Sequence, residues 1–82
     1  MGFAVGTKVG FKFNSLDDQG IGIVLEAIHH KTPFGNGGWY EYIVGPCSTQ
    51  EAAFHPMATF DIAHEVMVVN IVEGNCIWQV GV

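Results

Sequence analysis

Thr7-Lys8-Val9-Gly10-Phe11-Lys12-Phe13-Asn14 sets Val9, Phe11 and Phe13 in strict alternation with Lys8, Gly10 and Lys12. A period of two puts the three apolar side chains on one face and the lysines on the other, which predicts a strand over residues 7–14 with one buried face. Ser15-Leu16-Asp17-Asp18-Gln19-Gly20 follows as a turn, because Ser and Asp bond bent backbone and Gly permits it.

The same reading extends down the chain. Residues 21–29 predict a second strand whose nearly continuous apolar run fits burial on both faces or a bulge. Gly22 inside it marks that bulge or a close backbone approach. Lys31 to Gly38 is a loop around Pro33, Gly35, Asn36 and Gly37, with Phe34 at its centre as an exposed aromatic. Residues 39–44 predict a third strand, with Tyr40, Tyr42 and Val44 facing the core and Glu41 facing water beside Trp39 and Ile43. Gly45-Pro46 ends it. Ser48-Thr49-Gln50-Glu51 resembles a helix start, which Pro56 limits to one turn. Residues 57–61 predict a short fourth strand, and residues 61–65 a tight turn. Residues 66–72 are apolar on both faces, so this strand is central or covered by another subunit. Glu73-Gly74-Asn75 reads as a hairpin loop. It leads to a last strand over residues 76–82, with Cys76, Trp78, Val80 and Val82 on one face.

These are the signals of an all-β chain. They predict a small barrel, or a strongly bent antiparallel sheet of five to six strands, as one domain over residues 1–82. Its core spans about 5–72, and an extra C-terminal strand covers 76–82. Val5-Gly6-Thr7-Lys8-Val9, Gly20-Ile21-Gly22-Ile23-Val24 and Trp39-Tyr40-Glu41-Tyr42-Ile43-Val44 come in an order that resembles the SH3-like, Tudor-like group of small barrels. Asp61-Ile62-Ala63-His64-Glu65 before Val66-Met67-Val68-Val69 is similar to the short 3₁₀ turn and closing strand of that group. The resemblance covers about residues 5–70. The strand over 76–82 lies beyond it, and so does the basic surface of the nucleic-acid-binding members.

Composition narrows the function. The 82 residues are 49% hydrophobic and only 13% charged, with a net charge of −5. So few charges cannot cover a small body, and apolar surface is left for a partner. Lys8, Lys12 and Lys31 are the only basic residues and there is no arginine, so neither nucleic acid nor an anionic membrane surface is expected as a partner. The first ten residues do not read as a signal peptide, and no stretch reaches transmembrane length. Two cysteines, Cys47 and Cys76, are too few for a disulfide scaffold, which sets a reducing, cytoplasmic interior as the expectation, with a Cys47–Cys76 bridge as the alternative.

Candidate chemistry is sparse. His29, His30, His55 and His64 lack metal-ligand spacing, and adjacent His29 and His30 point to opposite strand faces, so no metal and no cofactor is expected. The histidines read instead as surface or edge residues near loops. Cys47 with His55 or His64 would need an oriented base and a cleft, which a small barrel has little room for, so no catalytic residue is assigned. Asp17 and Asp18 form too short a loop for calcium. Phe34, Trp39, Tyr42 and Phe60 are candidates for an aromatic pocket taking a cationic or methylated group. Val66, Val68, Ile71, Ile77, Trp78 and Val80 are the candidate interface, with the Phe34 loop and the Trp39 edge as secondary contacts. The expectation is a non-enzymatic interaction or structural module that self-associates or binds a protein partner.

Overall fold

A computed structural model describes residues 2–13, 18–35, 37–48 and 54–81. Among these no helix forms. Six strands make one antiparallel sheet that bends without closing. They are β1 (Lys8–Phe11), β2 (Gly20–Lys31), β3 (Gly38–Gly45), β4 (Thr59–Asp61), β5 (Val66–Val72) and β6 (Ile77–Gln79). The order across the sheet is β4-β5-β3-β2-β1-β6.

The alternation around Phe11 holds. Val9 and Phe11 are fully buried, and with Val24, Tyr42, Val44, Val69, Ile71 and Ile77 they form one core on the concave face. Of the two readings of the second strand's apolar run, the bulge is present: it falls between Val24 and Glu26, where the register against β3 shifts by one. It lets β2 turn from its pairing with β1 into a long arm with β3. The close approach at Gly22 is also present: a Cβ there would lie 2.3 Å from the Gly45 carbonyl oxygen. The second and third strands run further than expected, to Lys31 and from Gly38, and form a hairpin that carries Phe34 at its tip.

Three expectations change. Residues 73–75 do not join a hairpin, because β6 pairs with β1 at the far end of the strand order. The sheet curls enough for the short link after Val72 to reach β1, where the Lys12 N–H bonds the Cys76 carbonyl. The strand at 66–72 is therefore not the closing one, and residues 61–65 are the β4–β5 turn, held by the Asp61 carboxylate on the Ala63 N–H at 3.0 Å. His55, expected at the surface, is buried. It packs at the end of β1, beside the seam between β1 and β5, with its ring 5.1 Å from that of Phe11 and 5.2 Å from that of Phe13. The helical turn expected at 48–51 falls almost wholly outside the described residues.

Candidate functional site

β6 is an open edge strand, and its outer face carries an aromatic platform. Trp78 stands opposite Gly10 on β1, and Gly10 stands opposite Ile21 on β2. Directly opposed residues share a face. Trp78 lies flat over Gly10, where a Cβ would sit 2.6 Å from the indole ring. Ile21 is 50% exposed and Trp78 37% exposed. Together with Gly20, Gln19 and Val80 they line a shallow groove of about 390 Å³. Glycine is the residue type that lets an indole settle on the sheet here, and no local periodicity announces that.

The backbone of this edge is equally open. The Val80 N–H bonds the Lys8 carbonyl and the Lys12 N–H bonds the Cys76 carbonyl. Antiparallel alternation then turns the backbone groups of Ile77 and Gln79 away from β1. Among the described residues no backbone hydrogen bond is made on that side. Edge strands are usually guarded by charge, proline or a bulge, and Ile77-Trp78-Gln79-Val80-Gly81 carries neither charge nor proline.

A cluster of polar side chains lies elsewhere on β2, β3 and β5. Glu41 accepts from the Asn70 amide at 2.7 Å and lies 2.8 Å from His30 Nε2. His30 stacks on Trp39 with ring centres 5.2 Å apart. His64 Nδ1 lies 2.6 Å from Asp61, and its Nε2 reaches toward Glu26 at 3.8 Å. The Asn70 hydrogen bond, then that of His30, hold the Glu41 carboxyl below its ordinary 4.5. The His64 hydrogen bond, then the Ala63 N–H, hold Asp61 below its ordinary 3.8. A carboxylate with a lowered folded value adds stability above its unfolded value and loses it as pH falls through the folded one. Urea midpoints are therefore expected to fall as pH drops below about 5, and Glu41→Gln should flatten that limb. An unchanged limb in Glu41→Gln would remove Glu41 from the acid response.

Other candidate chemistry is not assembled. Among the described residues no three metal-ligating side chains gather. Both thiols are free, Cys47 exposed and Cys76 half-buried. His55 uses both ring nitrogens on the backbone, accepting from the Met57 N–H at 3.1 Å and facing the Asp18 carbonyl at 3.0 Å. Accepting at Nδ1 puts its proton on Nε2. A larger open cleft of about 470 Å³ marks the seam beside it, between Lys12, Phe13, Met57 and Ile71, with Cys76 in its wall. It has volume, but no histidine lines it beside the thiol. The β6 edge is the better-defined site because its aromatic, its glycine shelf and its free backbone groups converge.

The sequence-derived candidates divide. Of the proposed interface, Trp78 and Val80 lie on the open outer face. Ile71 and Ile77, 3% and 5% exposed, belong to the core; Val68, 4% exposed, is buried outside that cluster, and Val66 is half-buried beside Leu25 and Gly45. The proposed aromatic pocket does not come together. Tyr42 is fully buried, Trp39 lies on the other face of β3, Phe34 is at the hairpin tip and Phe60 is on β4, separated from β3 by β5. Gly10 and Ile21 went unnamed because periodicity shows which face a residue takes and not which strand lies next to it.

The fold and this edge define an all-β domain built on one bent antiparallel sheet, with an unguarded apolar edge. No family model matches the chain, and no similar curated protein or solved structure is found. No helix among the described residues is long and apolar enough to cross a membrane.

Proposed function

We propose that this chain is a non-enzymatic protein-interaction module of the SH3-like kind that self-associates through its β6 edge. The observation that carries this is Trp78, an indole set on Gly10 and left partly exposed at an edge whose outward backbone groups make no backbone hydrogen bond among the described residues. Exposed aromatics on a rigid, pre-formed surface are the usual anchors of interfaces, because little side-chain entropy remains to be lost. An open strand edge adds directional hydrogen bonds to that apolar anchor. The SH3-like reading is supported by the order β5-β3-β2-β1-β6, in which the last strand returns to pair with the first and a long bent β2 serves both halves.

The test is solution molar mass over a concentration series, with Trp78→Glu as the variant. The wild type should exceed the monomer mass of 8.9 kDa, and Trp78→Glu should return to it. A wild type that stays monomeric at millimolar concentration, or a variant with unchanged mass, would overturn the proposal.

A further inference from the structure

The sheet has two terminal strands, and they differ in charge. At one end, Lys8 and Lys12 sit on the face of β1 that carries Gly10, each opposite a residue of the segment that contains Trp78. Among the described residues neither lysine is ion-paired, because all three ion pairs are made by histidines. At the other end, the β4–β5 hairpin carries Asp61 and Glu65, and Glu26 reaches its His64. That hairpin also exposes apolar side chains: Phe60 is 60% exposed and Ile62 is 82% exposed.

We infer that the partner of the β6 edge is the β4 edge of a second copy, joined head to tail. This rests on the self-association proposed above and names the surface that completes it. Pairing like edges would bring the lysines of two copies together. Pairing β6 with β4 sets Lys8 and Lys12 toward the side of the added strand that carries Asp61, while its neighbour Phe60 covers the opposite side of the junction. In a chain of net charge −5 the lysine-bearing edge is the place where an acidic copy is attracted. A lysine on β1 and an acid on a strand added beyond β6 are separated by two strand spacings of about 4.8 Å each, within the combined reach of the two side chains. A contact between unlike surfaces leaves each copy with one edge free, so assembly continues into a ring or a filament.

Complementation tests this. Phe60→Lys with Ile62→Lys disables the β4 edge at two exposed positions, and Trp78→Glu disables the β6 edge. Each variant alone should be monomeric, and an equimolar mixture should form a dimer and nothing larger. Circular dichroism reports whether each variant is folded, and Lys8→Glu replaces Trp78→Glu if the latter is not. The wild type should grow in mass with concentration and shrink as salt is raised. A β4-edge variant that still dimerises by itself would overturn the head-to-tail inference and leave self-association through β6 standing. A mixture of folded variants that stays monomeric would overturn the inference as well, and a monomeric wild type would overturn both.

Discussion

Tyr42→Ala is expected to lower the urea midpoint more than any other single truncation in the sheet. Tyr42 is fully buried and is the largest such side chain among the described residues. It stands mid-sheet on β3, between Ala27 of β2 and Ile71 of β5. Its ring packs edge-on against Phe3 at 5.4 Å, and its hydroxyl accepts the Phe3 N–H at 3.0 Å. Truncating a buried aromatic to alanine costs about 3–5 kcal/mol. A domain of this length has a total stability of roughly 4–12 kcal/mol. The cavity alone therefore removes a quarter or more of it, and about all of it at the low end of that range. Tyr42→Phe separates the ring from the hydroxyl. It keeps the packing and loses one hydrogen bond, about 0.5–1.5 kcal/mol, so it should fold with a lower urea midpoint. A Tyr42→Ala variant with a cooperative transition near that of the wild type would show that the N-terminal segment collapses into the space.

Much of the sheet was legible before any coordinates. The Val9-Phe11-Phe13 alternation assigned the core face of β1, and the β-branched run at 66–72 gave β5 with its ends in place. The broken alternation after Ile21 allowed a bulge or burial on both faces, and Gly22 a bulge or a close approach; β2 has the bulge at Val24–Glu26 and the close approach at Gly22. What stayed hidden was who pairs with whom. Glu73-Gly74-Asn75 has the composition of a hairpin turn, yet β6 crosses to β1. Turn composition is local, whereas that pairing depends on how far the whole sheet curls. Glu41 shows the same limit. Its place in an apolar strand said it faces out, which is so, but its bonds to Asn70 on β5 and His30 on β2 come from register.

The candidate site was half legible for a related reason. Trp78 was marked by being a tryptophan in a chain with few charges to cover it. Its shelf was not, because Gly10 reads as an ordinary polar-face position of β1 until β6 is laid beside it. Ile77 was assigned to the interface with Trp78, although a strand sends neighbours to opposite faces, and Ile77 is in the core. Adjacent apolar residues on an edge strand divide between holding the fold and meeting a partner.

His55→Ala is expected to be the most damaging change outside the strands. His55 is the one buried polar residue among those described, and it packs on Phe11 and Phe13 beside the seam between β1 and β5. Two contributions compete. Its ring fills space against Phe11 and Phe13, and Gly20 leaves room for it: a Cβ there would lie 3.1 Å from the imidazole. Removing that volume costs about 2–5 kcal/mol, by analogy with large-to-small core changes. Its two backbone hydrogen bonds contribute about 1 kcal/mol each. The Met57 N–H bond is part-buried, so its loss stays near that figure. Packing wins on these magnitudes. His55→Phe, which keeps a ring and drops both hydrogen bonds, should therefore retain more stability than His55→Ala, by about 2 kcal/mol. Urea denaturation of the two variants decides it. Equal losses would mean that the seam is held by the hydrogen bonds to Asp18 and Met57, and that the ring is there mainly to place its two nitrogens.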